Sequence, residues 1–259
     1  MPHARCPMTS FCDDTDMVYD ASRRGFIPGE ALTFDDAYRL AHLPLVAPGH
    51  AEIIVGKDET DYRNGRYEAP RYSLVVPVDA SGLSASEAFR AFEAELRSFS
   101  FSDKIAWELG RKRTSKLHAT IVGGLSKADV ERCAQAAAGA LASLGPLSIR
   151  LAGPFLGRIN TGRIYLPVYP CRHNGEDVLG LVQSACGARQ TRFYVVGIYH
   201  FTAALTVAET ADLAALAEGW RRQTLAELPV TSLAVLATND DLALSARVVA
   251  TIPAGGQLI

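Results

Sequence analysis

The tripeptides His118-Ala119-Thr120 and His200-Phe201-Thr202 repeat one pattern, His-x-Thr, 82 residues apart. Each sits in an apolar run that reads as a β-strand. Alternation along a strand puts His and Thr on the same face, about 7 Å apart. Two such strands side by side present two imidazoles and two hydroxyls on one surface. An imidazole, with an unperturbed pKa of about 6.5, takes and gives protons at neutral pH. A threonine hydroxyl donates to a non-bridging phosphate oxygen. One histidine would draw a proton from an attacking water while the other protonates the departing oxygen, with Thr120 and Thr202 holding the phosphate. That chemistry calls for no metal and no cofactor. With six His and fifteen Thr in the chain, His-x-Thr arises by chance about a third of a time, so a pair in matched strand context is informative.

A second set of residues surrounds the motifs. Arg111, Lys112, Arg113 and Lys116 form a basic run before the first motif, a solvated loop or a set of nucleotide-phosphate contacts. Lys116 shares a face with His118 by alternation, as does Val122. Arg158 and Arg163 flank a glycine-containing loop, and Tyr165 follows, either a surface hairpin with a core tyrosine or a source of anion contact and a ring on which a base could stack. Tyr199 and Phe201 alternate away from His200 and read as core. His3, His42, His50 and His173 show no metal-ligand spacing and receive no role.

The elements that must position these groups follow from periodicity and punctuation. A helix is expected over 33–42, with Pro44 beyond its end. Strands are expected over 72–78, 116–125, 147–156, 163–168, 193–205, 231–237 and 245–252. Helices should start at Ser84 or Ser86, run from Ser126 to 144, and cover 176–188 and 210–222. Each half holds a lead strand, a helix and a motif strand, the mark of a weak internal duplication. The order favours α+β or mixed α/β over an all-parallel sheet, and no glycine-rich nucleotide loop follows the first strand.

Composition sets the outer limits. A chain of 259 residues, 48% hydrophobic and 21% charged, can build a sizeable core. Residues 1–70 carry 12 acidic and 7 basic residues, and the remainder 16 and 19, so the motif-bearing part is mildly cationic at +3. That balance suits a small phosphate-bearing ligand better than a long duplex. Cys6, Cys12, Cys133, Cys171 and Cys186 match no zinc or redox spacing and read as free thiols in a reducing compartment. No secretory leader or membrane-spanning run is evident, which points to the cytoplasm.

On its two motifs the chain resembles the 2H phosphoesterase superfamily, whose signature is a pair of His-x-Thr/Ser motifs on strands about 80 residues apart. The resemblance covers about residues 71–255 and leaves 1–70 as a partly irregular N-terminal extension. It implies a two-lobed α+β fold of pseudo-twofold symmetry, with a central cleft between antiparallel-rich sheets. It implies His118 and His200 as catalytic residues and Thr120 and Thr202 as phosphate ligands. The activity implied is metal-independent hydrolysis of a 2′,3′-cyclic phosphate or related nucleotide phosphodiester, with a nucleotide or short RNA end as substrate. RNA-end binding or 2′-5′ ligase-like sealing, and a non-catalytic nucleotide-binding module, are the alternatives. A monomer without membrane association is expected.

Overall fold

The apolar runs pair into two antiparallel five-stranded sheets with helices packed on them, an α+β architecture. The computed structural model describes residues 10–58 and 60–255; His3 and Cys6 lie outside these residues. The first elements are α1 (Tyr19–Ser22), α2 (Asp36–Ala41), α3 (Leu43–Val46), β1 (Tyr62–Arg63) and β2 (Arg66–Pro77). Next come α4 (Ala80–Ala85), α5 (Glu87–Ser98), α6 (Trp107–Arg113), β3 (His118–Leu125) and α7 (Val130–Leu144). The second half begins with β4 (Leu147–Ala152), β5 (Phe155–Leu156), β6 (Arg163–Pro170), β7 (Arg172–His173) and β8 (Glu176–Asp177). It closes with α8 (Val178–Ala185), β9 (Val195–His200), α9 (Val207–Trp220), β10 (Thr224–Val230), β11 (Ser232–Asp240) and β12 (Arg247–Pro253).

In one sheet the order runs β3-β2-β11-β12, with the short β1 on the β2 end; in the other it runs β9-β6-β4-β10, with β5 continuing the line of β4. The two sheets therefore share one plan. Each motif strand occupies an edge, and β3 and β9 approach each other across a cleft without pairing. The helices bind the lobes together. Those between β2 and β3 pack against β9 and β10, whereas α7 and α8 pack against β3, β2 and β12. One hydrophobic cluster consequently runs through both lobes, including Leu74, Phe92, Leu141, Leu166 and Leu233.

Local chemistry explains the boundaries. Ser86 caps α5 by accepting from the Phe89 N–H at 3.4 Å. Thr206 and Glu209 form a capping box on α9. α7 ends at Gly145, at φ +70°, a conformation that glycine tolerates best.

Several expectations need correction. The basic run at 111–113 closes α6 rather than forming a loop. A third closing strand, β10, precedes β11 by one residue yet belongs to the other sheet. The strand expected to 205 stops at His200, because the Phe201 N–H bonds Gly162 and the chain turns toward the 104–106 segment. The boundary at residue 70 falls inside β2. Residues before it also enter the core: the fully buried Tyr19 and Tyr38 donate their hydroxyls to the carbonyls of Val168 and Phe201, at 2.6 and 2.7 Å. An apolar anchor with a satisfied hydroxyl holds the N-terminal segment against the second sheet. Gly162 allows that contact, since a Cβ there would lie 2.4 Å from the Tyr38 ring. Cys12, Cys133, Cys171 and Cys186 are free thiols. Among the described residues no helix is long and apolar enough to cross a membrane.

Candidate active site

A cavity of about 430 Å³ opens where the two motif strands meet. His118 and Thr120 line it from β3, Val195 and Gly197 from β9, and Arg163 and Tyr165 from β6. The rest of its wall includes His42, which follows α2, Asn160 of the β5–β6 loop, and Asp241.

The first motif meets the expectation of a shared face. Thr120 is exposed to the cavity and His118 is partly exposed. A bulge at Ile121 then interrupts the alternation, so Val122 turns inward instead of joining them. His118 Nδ1 lies 2.7 Å from the Lys116 carbonyl. That oxygen only accepts, so Nδ1 carries the proton and Nε2 keeps its lone pair. Lys116 thus serves through its backbone. It sits in a 3₁₀ turn before the strand, and its ammonium donates to the Leu244 carbonyl instead of sharing the His118 face.

The second motif is arranged differently. Ile198 is the extra residue of a bulge opposite β6, so Ile198 and Tyr199 both face a separate pocket with Trp107. Strict alternation would put Ile198 on the face of His200, and the bulge turns it away. Tyr199 and Phe201 are core residues, packed on Trp107 and Phe101. His200 is only 2% exposed, and its Nε2 has no partner among the described residues. Its ring centroid lies 5.8 Å from that of His42, which lines the cavity where His200 does not. Thr202 does not line the cavity: its N–H and hydroxyl both donate to the Lys104 carbonyl, at 2.7 and 3.1 Å.

Two arginines set the electrostatics. Arg113 is buried, donating from Nε to Leu242 at 2.6 Å and from an Nη to the Gly197 carbonyl at 3.0 Å. Burial, then the neighbouring Arg163, lowers its pKa to about 9, against the pull of Asp240. Arg163 crosses β9 at Gly197, where a Cβ would lie 1.8 Å from its Nε. It lies over the Tyr165 ring at 5.1 Å, and its Nε has no partner among the described residues. Burial lowers the pKa of His118 to about 4, reinforced by Arg113 and Arg163 and opposed by the Lys116 carbonyl. His200 and His42 are held well below the usual imidazole range by burial and the same two arginines. All three rings are neutral at pH 7 in this site.

A second cavity, of about 530 Å³, shares Asn160, Arg163, Tyr165, Phe193 and Val195 with the first. Tyr165 stacks on Phe155 there, at 5.6 Å between centroids. Arg158 lines this neighbour alone, its Nε donating to the Arg23 carbonyl.

Of the residues that the sequence singled out, His118, Thr120, Arg163 and Tyr165 line the cavity and His200, Thr202, Lys116 and Arg158 do not; Arg113, expected in a solvated loop or on a nucleotide phosphate, is buried. Sequence reasoning passed over His42 and Asn160. The signal for His42 was its position four residues after Tyr38, on the apolar side of a helix whose other face carries Asp36 and Arg39. Asn160 adopts φ +59°, and nothing local in the sequence aims its side chain at His42.

No protein-family model and no curated protein matches the chain. Among solved structures, the crystal structure of TT0787 of Thermus thermophilus superposes with a TM-score of 0.40 at 14% identity, covering 72% of this chain and 99% of that one.

Proposed function

We propose that the protein is a phosphoric diester hydrolase that opens a 2′,3′-cyclic phosphate or a related nucleotide phosphodiester by imidazole acid–base chemistry. The observation that carries this reading is His118. Its Nδ1 proton is committed to the Lys116 carbonyl, which leaves a basic Nε2 beside a cavity walled by arginine and a second imidazole. A neutral imidazole of fixed tautomer is the form that accepts a proton from water. Attack on phosphorus adds negative charge to the non-bridging oxygens, and Arg163 and Thr120 supply donors for it. The bound anion also offsets the repulsion from Arg113 and Arg163, so a second imidazole can carry a proton to the leaving oxygen. The adjoining aromatic cavity, with Tyr165, Phe155 and Phe193, suits a nucleoside.

The test is hydrolysis of nucleoside 2′,3′-cyclic monophosphates, with the product phosphate position identified. The wild-type protein is expected to turn over in EDTA, and H118N to lose about 10³-fold in kcat. Undiminished hydrolysis by H118N removes the imidazole mechanism. Binding of nucleotides without turnover across cyclic and 2′-5′-linked substrates favours a binding module instead.

A further inference from the structure

We propose that His42, supplied by the N-terminal segment, is the imidazole that touches the substrate opposite His118, and that His200 of the second motif acts through it as a positioning residue. This inference rests on the phosphodiesterase reading. His42 lines the cavity, whereas His200 does not, and His42 itself is 1% exposed. In the cavity wall Arg163 Nε lacks a hydrogen-bond partner among the described residues, as does His200 Nε2 beside His42, while His42 Nδ1 and Asn160 Oδ1 face each other without a well-formed hydrogen bond. Buried polar atoms left in this way cost stability, and their grouping around one cavity suits a polar ligand.

The placement of His42 is over-determined. Tyr38, one helical turn earlier, is anchored by its hydroxyl to the Phe201 carbonyl, and its ring lies 5.4 Å from that of His42. That anchor reaches the residue following His200, so the second motif and the N-terminal segment are held in register. The groups facing His42 are Arg163 from β6, Arg113 from α6, His200 from β9, Tyr38 on its own helix and Asn160. His118 and Asp241 share its cavity. Burial first, and then the cationic neighbours, keep the ring neutral, and a bound anion offsets the second of these. A phosphodiester between Arg163 and the two imidazoles reverses that balance and lets His42 take a proton. Water oxygen then bonds to phosphorus and the bond to one ribose oxygen breaks. The water proton passes to His118 Nε2, the His42 proton goes to the departing oxygen, and exchange with solvent restores both rings.

The decisive measurement uses wild-type protein and the histidine ring resonances, titrated with adenosine 3′-monophosphate and, separately, with inorganic phosphate. His42 and His118 are both expected to shift and to titrate at higher pH when the anion is bound, with the same His42 response in H200N. In hydrolysis assays H42N is expected to lose about as much kcat as H118N, near 10³-fold. H200N is expected to lose about 10-fold and to move the acidic limb of the pH profile, which loss of packing alone would not do. A His118 response without a His42 response, or H42N more active than H200N, overturns this assignment and leaves the phosphodiesterase reading standing. No ring responding to either ligand overturns that reading itself.

Discussion

The two copies of His-x-Thr are identical in their chemical letters and opposite in their surroundings. In the first, His118 and Thr120 look into the cleft from a strand edge. In the second, His200 is buried beside His42, and the Thr202 hydroxyl donates to the Lys104 carbonyl. The strands differ in where the bulge falls: after the motif in β3, at Ile121, and before it in β9, at Ile198. They differ also in what covers them. The second sheet is overlaid by the N-terminal segment through Tyr19 and Tyr38, and His42 arrives with it. A duplicated motif thus defines a pair of positions, and packing decides which member of the pair opens to the cavity.

The widest probe of this asymmetry is Arg163, which faces both histidines. R163M is expected to lower kcat/KM on a cyclic nucleotide by about 10³-fold, with R163K recovering little, because a lysine lacks the planar guanidinium. Equal activity of the wild type and R163K would reduce Arg163 to a simple charge. Acid stability probes the first copy next. The folded-state pKa of His118, about 4, lies below its unfolded value. Above pH ~6.5 both states are neutral and the group contributes nothing; below it the unfolded chain binds the proton first. Stability is therefore lost as pH falls from ~6.5 to ~4, by about 2.5 kcal/mol at pH 4.5 from His118 alone. Urea unfolding at pH 7 and pH 4.5 should show a smaller acid loss in H118N than in the wild type.

The threonines offer the most direct contrast. T120A is expected to reduce kcat about 10-fold with little change in Tm, the value of one hydrogen bond to a charged oxygen. T202A should leave kcat within about 3-fold and cost roughly 1 kcal/mol of stability, since its hydroxyl serves the Lys104 carbonyl. Equal kinetic losses at both sites would restore the symmetric picture. The smallest effect is expected at Lys116. K116M removes the ammonium but keeps the carbonyl that orients His118, so kcat should change by less than about 2-fold.

Much of this was legible in the chain. Alternating apolar runs marked β2, β3, β4, β6, β9, β11 and β12, and the Ser86 cap delimits α5 through a bond to a near neighbour, whereas α9 begins at Val207 rather than at the expected 210. The face shared by His118 and Thr120 follows from the two-residue period of a strand. Less legible were features that depend on a partner strand. Neither bulge leaves a local mark, so Val122 and Ile198 exchange faces without a signal in their own segments. β10 hid beside β11 because only pairing with β4 separates the two. Arg113 read as part of a solvated basic run or as a phosphate contact, although it lies one turn beyond the buried Leu109 on α6 and finds the carbonyls of Leu242 and Gly197.

The sequence by itself determined the residue types at the centre, their two-residue spacing and the strands that carry them, because these depend on bonded geometry and short-range periodicity. The tertiary structure alone decided that one threonine opens to the cavity while the other is occupied elsewhere. It alone brought His42 to a wall whose other residues, Asn160 among them, lie between positions 118 and 241. The physical reason is range: strand alternation is set within a few residues, whereas burial, the unpartnered nitrogens and the electrostatics of two facing arginines arise only when segments more than a hundred residues apart are packed together.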